Sequence, residues 1–201
     1  MKRDIITDMV KWYQQANRVP LILRGARQVG KTWLMREFAK STGRTLIEIN
    51  FEKDQESAKL FHDPNPTSAL KAIEAYTGLN TSPAKSFLFL DEIQAAPQLL
   101  SNLRWFSEEL PELPVASVGS LLDCVLANHT FSMPVGRVRY LYMEPFSFEE
   151  FLSATGCDKQ RQFLAAFHIG QDRMPPPIHQ KLLGAFRDYL IIGGMPDVVS
   201  K

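Results

Sequence analysis

The segment that most constrains the fold of this chain is Gly25–Thr32, which reads G-A-R-Q-V-G-K-T. Its two glycines allow backbone conformations that other residues adopt only at a cost, so the loop can curl and point successive N–H groups inward. The apolar run Val19–Leu23 precedes the loop, and the amphipathic segment Thr32–Lys40 follows it. A glycine-containing loop between a buried strand and the start of a helix predicts a phosphate-binding site.

The last two residues of the loop have the chemistry that a nucleoside triphosphate requires. Lys31 is predicted to bridge β- and γ-phosphate oxygens, and the Thr32 hydroxyl is predicted to ligate Mg²⁺. The chain has no N-K-x-D motif for reading guanine, which favours ATP over GTP. The predicted cofactor-binding residues are Gly25, Ala26, Arg27, Gln28, Val29, Gly30, Lys31, Thr32, Trp33 and Ser120.

Two adjacent acids, Asp91 and Glu92, follow the apolar run Ser86–Leu90. Ligands of parallel sheets bind at the carboxyl ends of the strands, where these acids are expected to lie. Asp91 is predicted to hold Mg²⁺, directly or through water, and Glu92 to polarise the attacking water. The adjacent glutamate and the lack of an arginine-rich lid segment favour a hydrolytic ATPase over a small-molecule kinase.

Two more residues are candidates for sensing the γ-phosphate. Ser120 follows the predicted strand Val115–Val118, where it would lie near the γ-phosphate or cap a short helix. Arg137 precedes the predicted strand Val138–Met143 and is the predicted catalytic arginine, acting on its own nucleotide or on a neighbour's. The competing candidates are Ser117, Arg104 and Arg139.

Strand and helix patterns alternate over residues 1–146, which predicts an α/β fold with a parallel sheet covered on both faces. Residues 147–201 are predicted to form a small helical extension of that core. The remaining predicted strand is Leu46–Phe51, and the predicted helices are 3–16, Thr32–Lys40, Thr67–Tyr76, Pro97–Leu110, a short helix after Ser120, Ser147–Ala154, Gln160–His168 and Ile178–Ile191.

Composition places the chain among globular proteins, since 45% of its residues are hydrophobic and 22% are charged. The net charge of +1 gives no support for nucleic acid as a partner. Cys124 and Cys157 are too few for a disulfide framework, and the N-terminus has no signal-peptide core. No apolar run is long enough to span a bilayer, so we expect a cytoplasmic protein without a membrane partner.

Six motifs together resemble a large family of prokaryotic AAA-superfamily ATPases. They are G-A-R-Q-V-G-K-T at 25–32, L-D-E-I-Q at 90–94, G-S-L-L at 119–122, P-V-G-R at 134–137, P-F-S-F-E-E-F-L at 145–152 and G-G-M-P at 193–196. The resemblance implies a three-layer P-loop NTPase with sheet order 5-1-4-3-2, and it implies that ATP is the nucleotide. It also implies the usual roles for Lys31, Thr32, Asp91 and Glu92.

Members of that family continue into winged-helix-like and nuclease-like C-terminal regions. The resemblance therefore implies that this chain is the N-terminal ATPase part, with 147–201 as the start of a lid or C-terminal region. The expected function is Mg-ATP binding and hydrolysis that drives or gates conformational change in attached C-terminal domains. The alternative is a nucleotide-gated binding switch with negligible turnover. Homo-oligomerisation is left open.

Overall fold

Five parallel strands form a single sheet in the computed structural model, which describes residues 2–120, 136–170 and 173–200. The sheet order is β2-β3-β4-β1-β5, and each neighbouring pair is parallel. This confirms the predicted α/β fold and the predicted strand order, counted from the other edge. The strands are β1 Leu21–Arg24, β2 Thr45–Asn50, β3 Ser86–Asp91, β4 Val115–Val118 and β5 Arg139–Tyr142.

Side-chain caps open two of the helices, α3 and α5. Asn65 accepts hydrogen bonds from the backbone of Thr67 and Ser68 at the start of α3, and Gly78 ends that helix in the left-handed conformation. The predicted capping box of Ser147 and Glu150 opens α5. The helices are α1 Ile6–Tyr13, α2 Lys31–Ser41, α3 Pro66–Thr77, α4 Leu99–Glu109, α5 Phe148–Ala154, α6 Asp158–Ala166, α7 Pro176–Ile192 and α8 Pro196–Val199.

Two short 3₁₀ helices, Gln55–Phe61 and Ile93–Ala95, were not predicted. Both lie just after the carboxyl end of a strand, and helices this short leave little periodicity in the sequence. The short helix predicted after Ser120 falls at 121–135, outside the described residues. None of the helices in the described ranges has the length and apolarity needed to cross a bilayer.

The chain divides into two compact units. The sheet unit comprises Ile5–Arg27 and Lys31–Met143, and the helical unit comprises Met1–Asp4, Gln28–Gly30 and Glu144–Lys201. Of the predicted phosphate loop, 25–27 and 31–32 belong to the sheet unit, and 28–30 belong to the helical unit.

The sheet unit is three layers thick because its central strands β1, β3 and β4 are buried on both faces. On one face, Trp12 of α1 and Phe38 of α2 pack on Phe87 of β3, with ring centroids 6.2–6.4 Å apart. The other face packs against α3, α4 and the two 3₁₀ helices. Its buried residues include Ile47, Ile49, Leu88, Leu90, Val115, Phe61, Ile73, Ile93, Leu100, Leu103 and Phe106.

In the helical unit, aromatic contacts join α5 to α7. The ring of Phe151 lies 5.3 Å from that of Tyr189, whose hydroxyl donates a hydrogen bond to the Phe146 carbonyl at 2.8 Å. The Phe146 N–H donates to the Gly194 carbonyl at 2.7 Å. A Cβ on Gly194 would lie 2.4 Å from the Phe146 oxygen, which explains why a glycine occupies this position of the G-G-M-P motif.

Gly25, at the end of β1, is required by the packing of β1 against β5. A Cβ there would lie 2.1 Å from the Met143 carbonyl oxygen, and its φ is +139°. We expect Gly25→Ala to lower the free energy of unfolding by more than about 2 kcal/mol, because backbone rather than a flexible side chain must shift. Urea denaturation measures the loss.

The matched control is Gly43→Ala, at a glycine with φ +70° and open space where the Cβ would be. There only the left-handed conformation is penalised, by about 1 kcal/mol. Equal losses in the two variants would contradict the packing explanation.

Candidate functional site

The loop Gly25–Thr32 runs from the end of β1 to the start of α2. Three of its residues have positive φ: Gly25 at +139°, Gln28 at +64° and Gly30 at +91°. Left-handed backbone is expected for glycine, but it is uncommon for glutamine and is often found at functional sites. Because α2 begins at Lys31, the positive end of its dipole lies at the loop, which favours an anion there.

Lys31 is almost completely buried, with 6% of its surface exposed. Its Nζ donates hydrogen bonds to the carbonyl oxygens of Gly25 and Ala26, at 2.8 and 2.5 Å. Burial lowers the pKa of the ammonium group and Arg27 lowers it further, whereas the carboxylates of Glu92 and Asp91 oppose the shift. A cation is thus held at the first turn of the loop, beside two acids.

Asp91, the last residue of β3, is 2% exposed. Its Oδ1 accepts a hydrogen bond from the Thr32 hydroxyl at 3.1 Å, and its Oδ2 accepts one from the Asn50 amide at 2.8 Å. Burial raises the pKa of the Asp91 carboxyl, these two hydrogen bonds lower it, and the nearby carboxylates Glu92 and Glu48 raise it. Thr32 and Asp91, the two predicted metal ligands, therefore lie side by side.

Glu92 has a left-handed backbone, with φ +52° and ψ +48°. Its Oε2 accepts a hydrogen bond from the Gln94 amide at 2.6 Å and a weak one from the Ser120 hydroxyl at 3.5 Å. The Gln94 Nε2 also lies 3.3 Å from Glu52 Oε1. The carboxylates of Glu92 and Glu52 thus fix which way the Gln94 amide points. The Gln94 Oε1 is buried and has no hydrogen-bond partner in the described part of the chain.

Ser120 reaches this cluster through Glu92, whereas Arg137 does not reach it. Arg137 precedes β5, whose first residue, Arg139, is paired with Leu21 at the start of β1. It therefore lies at the amino edge of the sheet, one strand length, on the order of 10 Å, from the carboxyl edge that carries the loop. Its guanidinium pairs with Glu108 at 2.9 Å.

The remaining predicted residues lie in the loop or just after it. Arg27 and Gln28 are exposed, Val29 is buried, and Trp33, in the first turn of α2, is 46% exposed. Ser117, a weaker candidate, is completely buried and its hydroxyl lies 3.4 Å from the Leu21 carbonyl, so it is part of the sheet interior.

Two residues of the cluster were not predicted, Asn50 and Gln94. Asn50 ends β2, and the sheet register places it directly opposite Asp91. The contact between Asn50 and Asp91 can be inferred from the strand order, because polar residues that end neighbouring parallel strands meet at one edge of the sheet. Gln94 belongs to the L-D-E-I-Q motif, but its contact with Glu92 depends on the 3₁₀ turn that follows β3.

We expect Asn50→Ala to raise the pKa of Asp91 further, because the carboxylate loses a hydrogen bond that stabilises its charged form. Glu92→Gln should move the same pKa down, because it removes a neighbouring negative charge. NMR titration of the labelled Asp91 carboxyl carbon measures both shifts. Asn102→Ala on α4, where the amide contacts Ser101, is the control and should change nothing. A lowered pKa in Asn50→Ala would contradict the geometry.

A family model described as an AAA domain matches residues 17–152, more than half of the chain. Among solved structures, a Walker-type ATPase of Pyrococcus abyssi is 17% identical with a TM-score of 0.54, covering 98% of this chain and 65% of that one. PCH-2 of C. elegans is 12% identical with a TM-score of 0.55, covering 98% of this chain and 59% of that one. The chain thus spans less than two thirds of either structure, and at these identities the likeness shows the fold alone.

No curated protein is a significant match to the chain. The family match includes the loop Gly25–Thr32 and the pair Asp91 and Glu92. Together with the sheet order, it supports nucleotide binding and hydrolysis at a general level. The chain therefore belongs to the AAA domain family of P-loop ATPases.

Proposed function

We propose that the chain binds Mg-ATP through the loop Gly25–Thr32 and hydrolyses it with Glu92 as the residue that polarises water. One observation carries the proposal. The Lys31 ammonium, the Thr32 hydroxyl and the carboxylates of Asp91 and Glu92 converge at the carboxyl edge of the sheet, where the loop joins α2. Each group has the chemistry that its proposed role requires.

Lys31 is the proposed ligand of the β- and γ-phosphates. Its two present hydrogen-bond acceptors are neutral carbonyl oxygens of the loop. Phosphate oxygens are stronger acceptors because they are charged, so the buried ammonium favours them over carbonyls. The exposed Trp33 and Arg27 lie beside these groups in sequence and are proposed to contact the rest of the nucleotide.

Thr32 and Asp91 fit a Mg²⁺ ion. Both supply oxygen atoms, the ligand type that Mg²⁺ prefers, and their side-chain oxygens lie 3.1 Å apart. Burial disfavours the ionised form of Asp91, and a nearby divalent cation would favour it. Magnesium, when bound, neutralises charge on the transferred phosphate. Asn50 would keep the Asp91 carboxylate oriented through the hydrogen bond to its second oxygen.

Glu92 is the proposed general base, and Gln94 and Ser120 are proposed to position it. Both donate to the same carboxylate oxygen, Oε2. The other oxygen, Oε1, is then the one available for orienting a water molecule. The left-handed backbone of Glu92 turns its side chain out of the strand direction that Asp91 follows.

Arg137 is proposed to act on the nucleotide of a second copy, since it lies at the amino edge of the sheet, away from its own loop. This proposal implies a homo-oligomer. Hydrolysis is proposed to drive or gate conformational change in C-terminal domains attached to residues 147–201. The support for that output is the family of the chain and the longer structures that it resembles.

The second candidate function is a nucleotide-gated switch with negligible turnover. The observation that favours it is the same position of Arg137, because an arginine near the γ-phosphate contributes roughly 10³–10⁵-fold to hydrolysis in related reactions. A chain that binds nucleotide without such an arginine would exchange the bound nucleotide rather than hydrolyse it.

Lys31→Ala and Glu92→Gln separate these functions. Lys31→Ala should weaken Mg-ATP binding by roughly 30- to 150-fold, because it removes charge-assisted hydrogen bonds to phosphate. Glu92→Gln should keep the affinity and lower kcat by about 10²–10⁴-fold. Calorimetry and phosphate release measure the two quantities. Lys40→Ala, at an exposed lysine of the same helix, is the matched control.

Unchanged affinity in Lys31→Ala would contradict phosphate binding at this loop. If wild type and Glu92→Gln both bind Mg-ATP and neither releases phosphate, the result would favour the nucleotide-gated switch.

Gln94→Leu should lower kcat by roughly tenfold while KM stays within about twofold, because Glu92 remains present but loses the donor that orients it. Steady-state phosphate release gives both constants. Gln98→Leu, at the N-cap of α4 where the side chain makes no capping hydrogen bond, is the control. A rise in KM without a fall in kcat would contradict a positioning role.

A further inference from the structure

A buried arginine ahead of the first helix holds the centre of the phosphate loop. Arg3 belongs to the helical unit and is 6% exposed. Its Nη1 donates a hydrogen bond to the Val29 carbonyl at 3.2 Å, and its Nη2 donates to the Glu144 carbonyl. Its Nε pairs with the Glu150 carboxylate at 3.1 Å. One guanidinium thus joins the N-terminal segment to the loop and to residues 144–150.

Glu150, also 6% exposed, is the counter-charge of Arg3 and part of the first turn of α5. Its Oε1 also accepts a hydrogen bond from the Asp4 backbone at 2.8 Å, and its Oε2 accepts one from the Ser147 backbone at 3.2 Å. The ring of Phe146 lies 4.6 Å from the guanidinium carbon. A buried ion pair whose polar atoms are satisfied in this way keeps its partners in a fixed geometry, and removing one partner is costly.

The contact at Val29 has a consequence for the loop. The Val29 carbonyl and the Gly30 N–H belong to one planar trans peptide, so they point in opposite directions. Gly30, at φ +91°, has the freedom to rotate that a residue with a side chain lacks. By holding the Val29 oxygen, Arg3 fixes the direction of the Gly30 N–H, one of the loop donors that would face a phosphate.

We propose that Arg3 is a positioning residue for the phosphate loop and that, through Glu150, it couples the conformation of the loop to helix α5. The coupling rests on the proposed function, since it matters when the loop binds phosphate. Linkage makes it reciprocal. If phosphate binding stabilises the loop conformation that Arg3 holds, it stabilises the capped first turn of α5 as well.

Arginine is the residue that this position requires. Its planar fork presents donors in three directions, which here reach Glu150, Val29 and Glu144 at the same time. A lysine at position 3 would keep the charge, but its single ammonium cannot reach all three acceptors along the same directions. Arg3→Lys therefore removes the three-way hydrogen bonding of the guanidinium and retains the positive charge.

The test is calorimetric titration of wild type and Arg3→Lys with the magnesium complex of a non-hydrolysable ATP analogue. Arg3→Lys should bind it about tenfold more weakly. Glu150→Gln, which removes the charge and keeps only one of the two acceptor oxygens, should lose affinity in the same direction by a smaller factor. It carries the test if Arg3→Lys does not fold. The control is Arg161→Lys, at an arginine of the same unit that bonds to Ser153 and Asp4, and it should stay within about twofold.

Hydrogen exchange of α5 supplies the readout that a merely structural arginine would not change. The analogue should slow exchange of the α5 amides in wild type and Arg161→Lys, and this slowing should be lost in Arg3→Lys. Wild-type affinity and wild-type slowing in Arg3→Lys and Glu150→Gln would overturn the proposal and leave the proposed function intact. A wild-type protein that binds no analogue would refute the proposed function and with it the coupling.

Discussion

The buried carboxylate of Asp91 is the interaction on which the rest of the candidate site depends. Its two oxygens take hydrogen bonds from Thr32, at the start of α2, and from Asn50, at the end of β2. Burial disfavours its negative charge, and the ammonium of Lys31 lies close enough to interact with it. Loop, helix and two strands thus meet at one ionisable group. Such a group is more useful for holding a cation than for stabilising the fold, because burial of its charge is unfavourable.

Much of the fold followed from local patterns in the sequence. Gly25-x4-Gly30-Lys31-Thr32 is a contiguous signal, and the apolar run that ends in Asp91 marks a buried strand whose end carries acids. Asn50 and Gln94 were missed because their roles come from strand register and from a 3₁₀ turn. Neither residue is distinctive in its own segment.

Arg137 and Arg3 also differ in how far the sequence predicts their positions. The glycine before Arg137 and the strand after it predict a catalytic role, yet a residue that precedes a parallel strand lies at the edge opposite the phosphate loop. The position of Arg137 therefore follows from the sheet topology and can be predicted from the sequence. The contacts of Arg3 cannot, because its acceptors, Val29, Glu144 and Glu150, are set by tertiary packing within the helical unit. Sequence spacing carries no information about such contacts.

A crystal structure with Mg²⁺ and a non-hydrolysable ATP analogue tests the central claim most directly. The account predicts that the β-phosphate lies inside Gly25–Thr32, and that the Lys31 ammonium moves from the carbonyls of Gly25 and Ala26 to phosphate oxygens. It also predicts a metal within about 2.1 Å of the Thr32 hydroxyl, with Asp91 in its first or second coordination sphere. An analogue bound elsewhere, or in the loop with Lys31 still on the two carbonyls, would contradict it.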